Sequence, residues 1–264
     1  MKDILDTLEE VFAELHVDFY MIGASAKEYW YRQAGKTMRY TQDVDFAILV
    51  PNQHIYDQVR DRLKNHRFTD IKDNAISMTS PSGTRVDLLP FGDIAIDGNV
   101  ELAIGMTSMR VDGFMEVYQA GTGQITISGH LFKAATLPGI VLLKLIAYDD
   151  RPEMRQKDAR DVAGIMQYFF ELQAEFIYQY HADLFGDDQP ERDLPGIAAI
   201  VIGREIKKIC GDNLVLKERL VDILAAFIEK EEQSYFVKEM VGETNKPVKE
   251  VVGWLNYMVI TLAD

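Results

Sequence analysis

Two aspartates at the start of a hydrophobic stretch constrain the fold of this chain most. Residues 39–50 are rich in β-branched and aromatic side chains and are followed by Pro51, which predicts a buried β-strand. Because side chains alternate between the two faces of a strand, Asp43 and Asp45 share one face. Adjacent carboxylates at a buried strand end repel each other unless a cation lies between them. Oxygen ligands of this kind suit Mg²⁺ or Mn²⁺; the alternative is a solvated strand end with two unrelated aspartates.

A third carboxylate occurs on a later predicted strand. Residues 84–89 alternate so that Val86 and Leu88 share an apolar face while Asp87 lies on the other face. Asp87 is therefore a candidate third ligand that projects to the same side as the aspartate pair.

A glycine turn precedes the aspartate pair. Residues 17–23 predict a strand that ends in Gly23, and Ser25 comes just before a helix predicted over residues 26–33. This order of elements points backbone N–H groups and a helix N-terminus at an anion, which predicts phosphate binding at Gly23 and Ser25. The alternative is an ordinary strand-to-helix turn.

The segment Ala34-Gly35-Lys36-Thr37 matches only the end of a P-loop. The full pattern requires a glycine five residues before Gly35, where this chain has Trp30. The glycine also follows a predicted helix instead of preceding one. The sequence therefore excludes a P-loop at this position.

The residue pattern changes at Leu137-Pro138. Upstream, strands alternate with helices predicted over residues 3–15, 26–33 and 52–65, and residues 94–132 predict short strands joined by glycine turns. Downstream, helical periodicity dominates, and helices are predicted over residues 139–149, 153–170, 171–182, 196–210, 214–232 and 246–262. We expect an α+β domain over residues 1–135 and a helical C-terminal domain over residues 136–264.

Composition limits the environment and the partners. The 264 residues carry a net charge of −14, which disfavours sequence-independent binding to duplex nucleic acid, although a local basic patch remains compatible with it. No apolar run reaches the roughly 18 residues of a membrane span, and the N-terminus lacks the apolar core of a signal peptide. The single cysteine, Cys210, cannot form an internal disulfide. We expect a cytoplasmic protein without a membrane partner.

Four motifs in order resemble a known superfamily. Residues 22–26 match a Gly-Gly-Thr-Ala-like turn, with Ala24 in place of a usual glycine, and residues 39–46 match the strand Arg-Phe-Ser-x-Asp-Ile-Asp-Phe. Lys144 matches a helix lysine, and residues 155–162 match Arg-x-Lys-Asp-x-x-Asp-Leu. The chain thus resembles the polymerase β-like nucleotidyltransferases, and more closely the AbiEii/AbiGii toxin family with its MenT-like relatives.

The resemblance implies a fold and a set of catalytic residues. The fold would be α+β, with a mixed sheet flanked by helices and followed by a helical bundle. Asp43 and Asp45 would bridge two metal ions, and Asp87 would hold the ion nearer the acceptor and accept its proton.

The resemblance also implies a set of nucleotide-binding residues, which are Gly23, Ser25, Arg39, Lys144, Lys157, Asp158 and Asp161. Each has a structural alternative. Arg39 would cap or pair with Asp43, Lys144 would extend its amine out of an apolar helix, and Asp158 with Asp161 would form a solvated ion-paired face.

The implied function is Mg²⁺-dependent transfer of a nucleoside monophosphate from an NTP to an acceptor hydroxyl, as the toxin of a bacterial toxin–antitoxin or phage-defence pair. The acceptor would be a tRNA, a protein or a small molecule, and an antitoxin protein would be a partner. One alternative is a small-molecule nucleotidyltransferase of the aminoglycoside-modifying kind. The other is a catalytically inactive binding module with the same fold.

Overall fold

The computed structural model of the chain describes residues 2–36, 43–102, 107–186 and 189–264. Arg39, one of the predicted nucleotide-binding residues, lies outside them. Residue contacts divide the chain into two compact units. The first unit comprises Met1–Arg32 and Thr37–Thr136, and the second comprises Gln33–Lys36 and Leu137–Asp264.

The first unit combines helices with a mixed sheet. Its helices are α1 (Lys2–Glu14), α2 (Gly23–Gln33, whose last residue belongs to the second unit), α3 (Gln53–Asn65) and α4 (Phe114–Ala120). Its strands are β1 (Asp18–Ile22), β2 (Asp43–Leu49), β3 (Thr69–Asp70), β4 (Ser77–Thr79), β5 (Arg85–Phe91), β6 (Asn99–Leu102), β7 (Thr107–Arg110), β8 (Thr122–Ile127) and β9 (His130–Ala135).

Seven of these strands form one sheet in the order β3-β4-β5-β2-β1-β9-β8, and β6 pairs with β7 separately. The pairs β2–β5 and β1–β9 are parallel, and the other pairs are antiparallel. The register sets Asp45 of β2 between Ile22 of β1 and Asp87 of β5. The two strands predicted to carry carboxylates are therefore direct neighbours.

Aromatic side chains cover both faces of the sheet. On one face Phe19 lies with its ring centroid 4.7 Å from that of Phe12 in α1 and 5.7 Å from that of Phe46 in β2. On the other face Tyr20 contacts Phe91 at 5.6 Å, and its hydroxyl donates to the carbonyl of Phe114 at the start of α4. This second face also carries Asp43, Asp45 and Asp87, because these residues alternate in register with the buried ones.

The second unit is helical. Its helices are α5 (Leu137–Asp150), α6 (Gln156–Leu172), α7 (Ala174–Tyr180), α8 (Leu194–Cys210), α9 (Leu214–Lys230), α10 (Tyr235–Thr244) and α11 (Val248–Ala263), with short 3-10 turns at Ala182–Leu184 and Glu231–Gln233. Helix α8 lies at the centre of the unit, since eleven of its seventeen residues are buried. Lys36 joins this unit through an ion pair with Glu171, with 2.5 Å between Nζ and Oε2.

Helices α8 and α11 approach closely at Gly203. A Cβ atom on Gly203 would overlap Thr261 Oγ1 and lie 2.7 Å from the carbonyl oxygen of Met258. Because one of these atoms belongs to the backbone, the neighbouring helix cannot make room by a change of rotamer. The absence of a side chain at residue 203 therefore sets the distance between the two helices.

The structure confirms the α+β class, the mixed sheet flanked by helices and the helical C-terminal region. The expectation of only short strands over residues 94–132 is wrong, since α4 occupies Phe114–Ala120. Its seven residues are too few to show helical periodicity beside Phe and Val, which favour strands. Helix α10, capped by the Ser234 hydroxyl, lies in a segment where no helix was predicted.

None of the helices that the structure describes combines the length and the apolar character needed to cross a membrane.

We expect Gly203→Ala to destabilise the helical unit by about 1–3 kcal/mol, the usual cost of overpacking a well-packed core. The measurement is urea unfolding followed by circular dichroism. Gly242→Ala is the matched control, because Gly242 lies in α10 with open space around it. That change should leave stability unaltered or raise it by about 0.5–1 kcal/mol, the difference in helix propensity. Equal effects of the two substitutions would contradict the close approach.

Candidate active site

Three carboxylates of the first unit share one face of the sheet where β2 and β5 begin. Asp45 is the register partner of Asp87 across the parallel pair, and Asp43 is the partner of Arg85. Side chains of directly paired residues point to the same side of a sheet. The structure therefore brings together the three residues that the sequence predicted as catalytic and metal-binding.

Arg85 binds the third carboxylate. Its Nε donates to Asp87 Oδ1 at 2.8 Å, and its Nη2 donates to Asp87 Oδ2 at 3.1 Å and to the Ser77 hydroxyl at 2.8 Å. The hydrogen bonds to Asp87 raise the pKa of the Arg85 guanidinium, although burial opposes them. The charges of Asp43 and Asp45 raise this pKa further. Arg85 thus bonds to Asp87 and is the register partner of Asp43.

Gly23 allows the backbone to pass directly beside Asp45. Its φ of 64° lies in the left-handed region, which residues with a side chain rarely adopt. A Cβ atom at this position would lie 2.5 Å from Asp45 Oδ2. Because Gly23 also begins α2, the Asp45 carboxylate lies at the positive end of that helix. Glycine is required here for two separate reasons.

Ser25 fixes the start of α2 to the start of β2. Its hydroxyl donates to the main-chain carbonyl of Asp43 at 2.9 Å, and its side chain is buried. The hydroxyl proton is therefore engaged within the protein, while the oxygen can still accept a hydrogen bond. Phosphate binding by Gly23 and Ser25 stays a prediction, and Ser25 has a structural role in addition.

The carboxylates do not form a ready metal cluster in this arrangement. Among the described parts of the chain, no three His, Cys, Asp or Glu side chains converge closely enough to hold an ion. Both Asp87 oxygens bond to Arg85, which draws that carboxylate toward the guanidinium. Metal binding by Asp43, Asp45 and Asp87 stays a prediction.

The remaining predicted site residues belong to the second unit. Lys144 of α5 forms ion pairs with Asp158 and Asp161 of α6, each with 2.6 Å between nitrogen and oxygen. Its side chain is only 11% exposed, so a charged partner is necessary to offset the lost hydration. Burial lowers the pKa of the Lys144 amine, but the two carboxylates outweigh burial and raise it overall. This triad explains how an apolar helix accommodates a lysine, and nucleotide binding by its members stays a prediction.

Lys157 differs from the triad. It lies in the first turn of α6, and its side chain is exposed. Packing in the helical unit therefore does not explain why a lysine occurs at this position. Its predicted contact with nucleotide is unsupported by any described neighbour.

The sequence did not single out Arg85 or Ser77 as site residues. Arg85 precedes Asp87 by two residues, so strand alternation puts it on the same face, and this signal was available. Ser77 could not have been found, because its place depends on the antiparallel register of β4 with β5, which pairs it with Asp87.

No protein-family model matches the sequence, and no curated protein does either. Several solved structures do resemble the chain. The antibiotic-resistance factor ANT(2'')-Ia is 11% identical, with a TM-score of 0.39 over 68% of this chain and 92% of its own. The lincosamide adenylyltransferase LnuA, bound to lincomycin, is 12% identical, with a TM-score of 0.38 over 61% of this chain and 96% of its own.

A nucleotidyltransferase-like protein from Paracoccidioides brasiliensis is 19% identical, with a TM-score of 0.39 over 68% of this chain and 90% of its own. Likeness at this level establishes neither a family nor an activity for this chain. The functional argument therefore rests on its own residues.

We expect Gly23→Ala to destabilise the first unit by more than the roughly 1–2 kcal/mol that a left-handed residue with a side chain costs. The excess arises because the methyl group displaces the Asp45 carboxylate. Urea unfolding measures the loss. Gly83→Ala is the matched control, since Gly83 has a φ of 83° and open space around it. In an Asp45→Ala background the excess should disappear, and its persistence would refute the proposed contact.

We expect Lys144→Met to cost about 3 kcal/mol of unfolding free energy, because it removes the buried amine that pairs with both Asp158 and Asp161. Lys249→Met, at an exposed position of α11, should change stability by less than about 0.5 kcal/mol. The raised pKa of Lys144 means that its stabilisation is complete below its usual pKa of 10.5 and is lost as the pH rises through the raised value. The difference between wild type and variant should therefore shrink in strong alkali; a constant difference would contradict the ion pairs.

Proposed function

We propose that the first unit transfers a nucleoside monophosphate from an NTP to an acceptor hydroxyl with the help of Mg²⁺ or Mn²⁺. The observation that carries the proposal is the register of β2 with β5, which sets Asp45 beside Asp87 and Asp43 beside Arg85 on one face. Structural needs do not explain this arrangement, since three neighbouring carboxylates repel one another.

The donor atoms suit a hard divalent cation. All three candidate ligands offer carboxylate oxygens, which are the preferred ligands of Mg²⁺ and Mn²⁺. The place of Arg85, which bonds to Asp87 and is the register partner of Asp43, supports the view that a cation is stabilised at this face. A bound metal would supply positive charge for the triphosphate and make the acceptor hydroxyl more acidic.

The protein's own groups would orient and neutralise the reactants. Asp43 and Asp45 would hold the metal, and Asp87, once released by Arg85, would lie beside Asp45 to accept the acceptor proton. The backbone N–H groups at the start of α2 would face the phosphates. Arg85, which lies on the same sheet face, would add positive charge near the phosphates.

The test is transfer of label from each α-³²P NTP in the presence of Mg²⁺, with bacterial extract, tRNA and small-molecule hydroxyl compounds supplied as separate acceptors. We expect wild type to label one acceptor class and to lose activity when EDTA is added. Asp45→Asn keeps the shape of the side chain but removes its charge, and it should reduce transfer by at least about 100-fold. Glu10→Gln, on the exposed side of α1, is the control for loss of one negative charge and should transfer normally.

Arg85→Met separates the enzyme from an inactive binding module. In an enzyme, this change removes the cation bonded to Asp87, so the dependence on Mg²⁺ concentration and the transfer rate should both change. Equal labelling by wild type and Asp45→Asn would overturn the proposal, and so would the absence of labelling with every acceptor.

We further propose that the protein acts as the toxin of a toxin–antitoxin or phage-defence pair. The support is the resemblance of the turn at Gly23 and the strand at Asp43 to the AbiEii/AbiGii motifs. Induced expression in bacteria should slow growth for wild type but not for Asp45→Asn. Slow growth with both proteins, or with neither, would contradict the toxin role and leave the transfer assay to decide the chemistry.

A further inference from the structure

The helical unit contains a cleft of about 770 Å³ that the proposed reaction does not use. It opens between the end of α7, the C-terminal half of α8, the start of α9 and the end of α11. We call it the cationic cleft, because Arg204, Lys207, Lys208 and Lys217 line it. Asp264 is the acidic residue among its described lining side chains. Such a concentration of positive charge stands out on a chain with a net charge of −14.

The four cations are neutralised to different degrees. Arg204 forms a two-pronged ion pair with Asp183, at 2.9 and 2.6 Å, and Lys208 pairs with Glu205 at 2.6 Å.

The other two cations have no carboxylate partner among the residues that the structure describes. Lys217 Nζ donates to the neutral main-chain carbonyl of Ala263 at 2.9 Å, and the half-buried Lys207 has no hydrogen bond or ion pair to any part of the chain that the structure describes. Neither of these two half-buried amines is in ion-pair contact with a carboxylate of the described residues, and an anionic ligand would provide that contact.

A buried histidine contacts one of the four cations. His181 lines the cleft and is 2% exposed. Arg204 Nη1 lies 3.4 Å from its Nδ1, and because a guanidinium can only donate, Nδ1 is the acceptor. In the neutral ring the proton is then on Nε2, which makes no hydrogen bond although Glu205 Oε1 lies 3.3 Å away. The contact with Nδ1 helps to hold the Arg204 guanidinium beside Asp183 at the cleft.

The rim of the cleft is aromatic and apolar. The Tyr180 ring is 61% exposed, and contact with Phe176 at 5.2 Å between centroids supports it from one side. Leu214, at the start of α9, is 62% exposed. An exposed aromatic ring beside unpaired lysines is the combination that recognises a base together with its phosphate.

We propose that the cationic cleft binds a nucleotide phosphate, with Lys207 and Lys217 on the phosphate oxygens and Tyr180 against the base. The nucleotide is either free or part of a single-stranded RNA, since both present the same phosphate and ring. Binding at this cleft is independent of the transfer reaction proposed for the first unit.

The test measures binding of three probes to the full chain in EDTA and at low salt. The probes are inorganic pyrophosphate, AMP and a short fluorescent single-stranded RNA. We expect wild type to bind AMP, RNA or both, with an affinity that falls as salt rises. The double substitution Lys207→Ala/Lys217→Ala should weaken binding about tenfold and lower the salt slope for RNA by about 1–2. Tyr180→Ala should weaken nucleotide binding roughly fivefold or more but leave pyrophosphate binding unchanged.

Two further variants control for nonspecific effects. Lys230→Ala/Lys249→Ala removes the same charge from exposed positions of the same unit outside the cleft and should bind as wild type. Lys207→Arg/Lys217→Arg keeps the charge and should retain most of the affinity. An unchanged urea midpoint shows that the cleft variants are folded.

The source of the ligand follows from the probes. RNA binding at least tenfold tighter than AMP binding supports a strand, and comparable affinities support a free nucleotide. The proposal is overturned if no probe binds, if only pyrophosphate binds, or if the double alanine variant matches the Lys230/Lys249 control. Binding is measured in EDTA and the cleft substitutions are confined to the helical unit, so failure here is distinct from failure of the transfer assay.

Discussion

Repulsion among three carboxylates is the physical constraint on which the first unit depends. Asp43, Asp45 and Asp87 are held on one sheet face by backbone pairing that cannot move them apart. Two features of the protein reduce the cost. Arg85 forms hydrogen bonds to Asp87, and the negative charges of the three aspartates raise the pKa of its guanidinium. The start of α2 presents the positive end of the helix to Asp45. The site is therefore stabilised by cationic character from a side chain and a helix, and a divalent cation would act in the same sense.

The second unit also contains neighbouring carboxylates, but there the cation that pairs with them is buried. Lys144 is a single cation between two carboxylates inside the protein. Its two ion pairs, each with 2.6 Å between nitrogen and oxygen, compensate for the hydration that burial removes. Arg85 is 42% exposed, so it can change partners at small cost, whereas Lys144 is 11% exposed and cannot. The contrast separates a charge network suited to structural support from one suited to exchange with a ligand.

The sequence predicted the helices and strands that have a strong hydrophobic periodicity or that end at a glycine or proline. The strand at Asp43 and the glycine stop after α2 are local patterns, and so is the helix that contains Lys144, and each was found. Helix α4 was missed because seven residues give too little periodicity, and Ser77 was missed because strand register is a property of distant pairing. The same limit applies to Ser25, whose bond to the Asp43 carbonyl depends on how α2 meets β2. The sequence indicated which residue types could take part in a site, but not which residues they contact in the fold.

The parallel pairing of β2 with β5 also bears on how the first unit reaches its native arrangement. A slip of β2 by one residue would turn Asp43 and Asp45 toward the face where Phe12, Phe19 and Phe132 pack. Two ionised groups would then lie among aromatic rings, where the loss of hydration is costly. The carboxylates proposed for chemistry thus also act during folding, because they disfavour the nearest competing register.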